Sequence, residues 1–412
     1  MSTSSEPIVS DGAVLSDGPV FADSAEQAGF RASLRSFLEQ NSPLSRVRVV
    51  AEAAEDFDAS LWDRLVEEFD LPGLTIPEEF GGSGAPFSYQ VIVLEELGRL
   101  VVPSPYFSTA VLAATAILES GDRAAAESLL PGIASGVKLA TLAVAGPGSR
   151  WSTDGSSVSA RETADGWVLE GIAAWVSDGA TADIAIVLAQ SDAGPSLFSV
   201  DLGGDGVTRQ AHPTLDPTRP LATLVFDSTT ALPLGSPGSA EPVVERTLAV
   251  ASIALAAEQV AGAQRALEMA VEYAKIRVQF GRAIGSFQAI KHILAERYVD
   301  NESAAVGVAH AARLVEQQSP EVVRYGHLVK AFASDAYLEA ASASIQVHGG
   351  IGFTWEHDAH FYFKRATATR QWLGSPHQHR EALAEIDLAR AELSNALASG
   401  DHTHEGRAHA AS

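Results

Sequence analysis

Residues 273–296 read YAKIRVQFGRAIGSFQAIKHILAE, and this stretch decides how the rest of the chain is arranged. A helical run reaches Phe280. Gly281 and Gly285 bracket a short break. Ser286 then stands where an N-cap would open a second helix, with Phe287, Ile290 and Leu294 on one face. Lys275, Arg277 and Arg282 cluster at the break. Cations beside the free N–H groups of a helix start suit an anion. On spacing alone, the stretch reads as a helix–turn–helix corner with a basic, solvated face.

The setting of this basic cluster is acidic. The 412 residues carry a formal net charge of −24. That balance argues against a binder of nucleic-acid phosphates, which needs a basic surface, and leaves room for a local pocket for a small anion. The length fits two or three domains, or one large multilayer domain, and 46% hydrophobic residues supply a substantial core. The absence of cysteine excludes disulfides, thiolate metal sites and cysteine nucleophiles. The start, MSTSSEPIVSDG, lacks the basic and apolar regions of a signal peptide. The longest apolar runs, such as Leu248 to Ala257, are too short to span a bilayer. The expectation is a soluble cytoplasmic protein.

Read in order, residues 1–23 form a polar tail and residues 24–137 a helical region. Its loop LPGLTIPEEFGGSG spans Leu71 to Gly84. Glu95 and Glu96 are adjacent on a helix and point apart, so they read as a solvated or helix-pairing face rather than an acid–base pair. Residues 138–238 lose helical periodicity and gain Trp, Val, Thr, Asp and Gly. Asp165-Gly166 sits between two short strands as a hairpin signal. Strands are also expected at Asp183 to Ala189, Leu197 to Val200 and Leu224 to Phe226. Residues 239–395 return to helix: from near Pro242 to Phe280, from Ser286, from near Pro320 to Gly349-Gly350, and from Pro376 to Leu397. Residues 396–412 form a second tail. The fold class is α+β, a small β domain set between helical regions.

Two further segments carry chemistry. Gln346 to Phe353, QVHGGIGF, places a helix end against a glycine-rich turn, where backbone can approach a ligand. Ala174 to Gly179, AWVSDG, puts Trp175 two residues before Ser177, so an indole could stack on a flat ring while the hydroxyl bonds to it. Chain reversal and a core tryptophan explain these two segments equally well when each is taken alone. The pairs His357/His360, His377/His379 and His402/His404 lack a clear third ligand and read as surface histidines. No Gly-x-Gly-x-x-Gly follows a strand, which argues against a Rossmann nucleotide site.

In their order along the chain, LPGLTIPEEFGGSG, AWVSDG, YAKIRVQFGRAIGSFQAIKH and QVHGGIGF resemble the acyl-CoA dehydrogenase family of flavoenzymes over residues 25–395. The resemblance implies a helical N-terminal domain, a middle β domain and a C-terminal four-helix bundle. It also implies FAD held between domains and subunits of a tetramer. Arg277, Gln279 and Phe280 match the arm that reaches a neighbouring subunit's FAD, with Arg277 near the pyrophosphate. Phe287 and Gln288 match positions near the adenosine. Gln346, Val347, His348, Gly349 and Gly350 match the turn at the adenine end, and Trp175 and Ser177 match the residues beside the flavin ring near N5. The family's reaction is α,β-dehydrogenation of an acyl-CoA thioester, in which a carboxylate takes the α-proton and a β-hydride goes to the flavin. Electron-transfer flavoprotein is the implied acceptor.

The chain departs from the family at the base. The usual glutamate, about twenty residues after the glycine turn, falls at Leu373. The alternative position, on the helix before the arm, falls near Ala251. Glu258 is the nearest carboxylate after it, seven residues or roughly 10 Å further along that helix. The loop that normally touches flavin and substrate is reduced to Ala145-Gly146-Pro147-Gly148-Ser149. Three readings stay open. The chain resembles the base-lacking subunit of heteromeric bacterial enzymes acting on steroid side-chain CoA thioesters. It could instead be a self-sufficient dehydrogenase using Glu258 or another carboxylate, or a non-catalytic flavin-binding or structural subunit.

Overall fold

A computed structural model describes residues 23–53, 56–148 and 151–399. Apart from Asp23 and residues 396–399, the expected tails lie outside the described residues, as do Ser149, His402 and His404.

The N-terminal helices are α1 (Ala25–Asn41), α2 (Leu44–Ala53), α3 (Ala59–Phe69), α4 (Phe87–Arg99), α5 (Ala114–Glu119) and α6 (Arg123–Ala134). Ser24 and Gln27 cap α1 reciprocally, each side chain bonding the other's backbone N–H. The loop between α3 and α4 folds back tightly on itself. A Cβ on Gly82 would meet the Ile76 carbonyl oxygen at 2.1 Å, so only glycine fits there. Ahead of α5 the backbone opens into a π-helical segment, Phe107–Ala113, a geometry often found at functional sites. Glu95 and Glu96 pair helices, as one of the two sequence readings held. Arg31 reaches both carboxylates, at 2.5 and 3.3 Å, and Arg35 joins Glu96 at 2.6 Å. Glu96 is buried, so this is not a solvated face.

The middle strands are β1 (Ala140–Ala143), β2 (Ser157–Thr163), β3 (Gly166–Ser177), β4 (Ile184–Ser191), β5 (Gly194–Asp201), β6 (Val207–Ala211) and β7 (Leu221–Leu234). The sheet order is β1-β4-β2-β3-β7-β5, with β6 on β7. Pairing of β4 with β5 closes five of the strands into a ring around Leu169, Val187, Phe198 and Leu224. The β2–β3 hairpin turns at Ala164-Asp165, with Thr163 opposite Gly166.

The C-terminal region contains α7 (Ala240–Ile276), a hairpin of β8 (Val278–Gln279) and β9 (Arg282–Ala283), then α8 (Gln288–Glu316), α9 (Val322–His348), α10 (Ala359–Gln371) and α11 (Pro376–Ser399). The middle of α7 is buried on every side, between α4 and α9. Two sequence expectations fail here. The helix stops at Ile276 rather than Phe280, because residues 278–283 pair as strands. Ser286 does not cap: its hydroxyl donates to the Ala283 carbonyl at 2.7 Å, and Phe287 takes the N-cap position without a side-chain bond. A further helix, α10, stands beside the four expected in this region.

Candidate active site

The β8–β9 hairpin projects from the body. Phe280 and Gly281 form its two-residue turn, both with positive φ (53° and 79°), the signature of a type I′ hairpin. Phe280 is 91% exposed, and Ile276, Arg277, Val278 and Gln279 are exposed with it. Arg277 has no carboxylate partner among the described residues. At the base of the hairpin, the Arg282 guanidinium lies 4.1 Å from the centre of the Phe287 ring. Gln288 is exposed at the first turn of α8. The arm thus presents cations and apolar groups away from the body of the chain.

The glycine turn ends α9. Gly349 (φ 64°) and Gly350 have open space where a Cβ would stand, and Gln346 is exposed. Val347 packs against Ala270 and Ala274. His348 is buried, with Nδ1 2.7 Å from the Ser344 carbonyl and its ring between Tyr273 and His357. Burial lowers the His348 pKa. These two residues therefore offer a ligand backbone rather than side chain.

Trp175 breaks out of β3. A register shift between Ala173 and Val176 and a left-handed backbone (φ 58°) leave its indole 38% exposed, 5.6 Å from the His212 ring. It is not a core tryptophan. Ser177 turns the other way: it is buried, and its Oγ lies 3.0 Å from Asp178 Oδ2. An exposed flat aromatic, open glycine backbone and an unpaired arginine fit a large anionic cofactor with a planar ring.

At the expected base position, Leu373 is buried with φ 60°, between α10 and α11. Polar groups hold this turn. Lys330, fully buried, donates to Ser334 Oγ (2.9 Å), the Thr369 carbonyl (3.0 Å) and the Gly374 carbonyl (3.3 Å). Burial lowers its pKa to about 7. His379 Nε2 is 3.1 Å from the Leu373 carbonyl, and its Nδ1 is 2.8 Å from His327 Nδ1. Contrary to the sequence expectation, His360 and His379 are buried. Before Leu373, Trp372 packs on Phe107 (4.9 Å between ring centres) and Trp151 (6.4 Å). Ala251 is buried in α7.

Glu258 is 4% exposed and bonded at both oxygens. Arg365 donates to Oε1 at 2.7 Å, and Arg219 makes a short contact with Oε2. Arg365 also bonds Asp216 and Thr218, and Arg219 stacks on Trp372 and Phe107. Burial pushes the Glu258 pKa up, but Arg219 and Arg365 outweigh it and hold it below the usual carboxylate range. A cavity of about 670 Å³ runs beside Leu373, lined also by Trp151, His327, His379, Glu245 and Glu381. The sequence reading missed the π-helical Phe107 and Ser108, Arg219, Trp372 and the histidine pair. Only Asp178, adjacent to Ser177, had a positional signal.

Known proteins place this arrangement. Residues 24–137 match the model for the acyl-CoA dehydrogenase N-terminal domain, and residues 242–387 that for the C-terminal domain. The chain belongs to the acyl-CoA dehydrogenase family, whose members are flavoproteins with FAD. It is 35% identical over 364 residues to the acyl-CoA dehydrogenase IpdE2 of Mycolicibacterium smegmatis, covering 88% of this chain and 98% of that protein. Among solved structures, it is similar to a chain of the ChsE4-ChsE5 complex from Mycobacterium tuberculosis (TM-score 0.82, 26% identity, 90% of this chain and 98% of that chain). It is also similar to butyryl-CoA dehydrogenase from Megasphaera elsdenii (TM-score 0.84, 26% identity, 89% and 99%). The described helices include none long and apolar enough to cross a membrane.

Proposed function

We propose that the chain is one subunit of a heteromeric FAD-dependent acyl-CoA dehydrogenase whose catalytic base is supplied by a homologous partner. One observation carries this reading. The expected base position holds Leu373, and the candidate substitute, Glu258, is locked between two arginines with a depressed pKa. A base must keep a free lone pair facing the substrate and a pKa near the working range. Glu258 has neither, which counts against the self-sufficient reading.

When bound, FAD supplies the hydride acceptor. In this reading Arg277 neutralises its pyrophosphate, with Gln279 and Phe280 beside it on the arm. Phe287 and Gln288 lie near its adenosine, and the Gln346–Gly350 backbone closes the adenine end. Trp175 and the Ser177 hydroxyl would lie beside the flavin ring on this chain's own β domain. The assembly is a tetramer in the cytoplasm, and its electrons pass to an electron-transfer flavoprotein. The likeness to ChsE4-ChsE5, a complex, supports a two-component assembly. The likeness to the solved Tcur3481-Tcur3483 steroid enzyme (TM-score 0.81, 30% identity) supports a steroid CoA thioester as substrate.

Purifying the chain alone and with a co-expressed homologue that carries the glutamate tests this. Bleaching of the flavin by acyl-CoA is expected only from the mixture. Full turnover by the lone chain would overturn the proposal, and flavin that never bleaches in either preparation would point to a non-catalytic subunit.

A further inference from the structure

Asp178 is a buried acid that the proposed chemistry leaves unused. It follows Ser177 at the end of β3, in the left-handed region (φ 54°), and is 3% exposed. The groups facing its carboxyl come from four parts of the fold: Ser177, Ser108 of the π-helical segment, Arg219 of the loop before β7, and Asp56 ahead of α3. No ion pair neutralises it among the described residues. Arg219 spends its contact on Glu258, and its buried Nε has no partner among them. Burial pushes the Asp178 carboxyl up to about 6, against Ser108, Arg219 and Ser177, which pull it down.

A serine hydroxyl has one proton to donate. Against an ionised carboxylate, Ser177 spends that proton on Asp178 and presents only lone pairs elsewhere. Against a protonated carboxyl the roles reverse. The acid donates to Ser177 Oγ, and the serine proton is released to point away. N5 of an oxidised flavin is a hydrogen-bond acceptor, so only the second arrangement gives it a donor.

We propose that Asp178 is a positioning residue that sets the direction of the Ser177 hydroxyl proton, and so decides whether this chain offers flavin N5 a donor or only lone pairs. The inference rests on the reading that Ser177 lies beside the flavin ring. The switch exchanges one proton with solvent and moves no electrons. Loss of the nearby negative charge favours the reduced flavin, while a donor at N5 is matched to the oxidised ring, whose N5 accepts.

The test uses the full chain co-purified with its partner and its flavin. Midpoint potential and visible spectrum are followed between about pH 5 and pH 8 by reductive titration with a mediator dye. The wild type is expected to show an additional inflection near pH 6. In Asp178→Asn the side-chain amide donates to Ser177 as the protonated acid does. That variant is expected to lose the additional inflection and to keep only the smooth pH slope that proton uptake on flavin reduction imposes. An Asp178→Asn protein with wild-type pH dependence overturns the inference. Ser177→Ala separates the two layers. If it shifts the flavin signals while Asp178→Asn does not, only the role of Asp178 falls. If it changes neither signal, the placement of Ser177 beside the ring falls, and the inference falls with it.

Discussion

In the proposed heteromeric reading Leu373 stands where a proton acceptor is expected, and the turn around it keeps a full set of polar supports. Lys330 and His379 bond successive carbonyls of the Leu373-Gly374 turn. These supports grip the backbone rather than the side chain at 373. The neighbouring carboxylate has a structural task. Glu258→Gln leaves Arg219 without its carboxylate and Arg365 with Asp216 alone. It should cost about 3–5 kcal/mol in denaturant unfolding, as broken buried ion pairs do. A variant that unfolds like the wild type but loses turnover would instead mark Glu258 as chemical. Lys330 gives a pH signature. Its folded pKa is near 7 and its unfolded value 10.5. Between those values the unfolded chain binds more protons, so stability from this group rises with pH over that window. Lys330→Met should flatten that rise in melts taken across the window. Arg277→Ala should lower FAD retained per assembled oligomer, measured by released flavin absorbance. Normal occupancy would remove its assigned role.

Among the elements, the β8–β9 hairpin is the one that faces outward. Its turn depends on Gly281 at φ 79°, where a β-branched side chain is strained by about 1–3 kcal/mol. Gly281→Val should therefore weaken assembly and FAD retention. The melting of the body should stay nearly unchanged, because the hairpin packs little against it. Light scattering of the purified mixture reads the first effect and calorimetry the second. The same hairpin marks where sequence reading stopped. Helical spacing through Tyr273 and Ile276 is real, but nothing in VQFGRA announces two-residue strands, since pairs that short carry no alternation to detect. Ser286 has capping chemistry and spends it on Ala283. The long helices α8, α9 and α11 were legible, and so was the β2–β3 hairpin, whose turn falls one residue before the Asp165-Gly166 signal. The buried acid and arginines were not. Asp216, Arg219, Glu258 and Arg365 are far apart along the chain, and no local pattern links them.

At the scale of the whole molecule, cation, aromatic and glycine backbone lie on separate parts of the chain. The hairpin arm and Trp175 share no hydrogen bond, ion pair or ring contact among the described residues. The family pattern in the sequence singles out these parts as candidates without showing how one chain relates them. Helix α7 bears on that relation. Its 37 residues make a strut about 55 Å long. One end borders the cavity at Glu245, the middle anchors Glu258, and the far end carries the arm. Because that middle is packed on all sides, the strut holds its two ends at a fixed separation. The reach of the outermost hairpin is thus set by the same helix that walls the cavity.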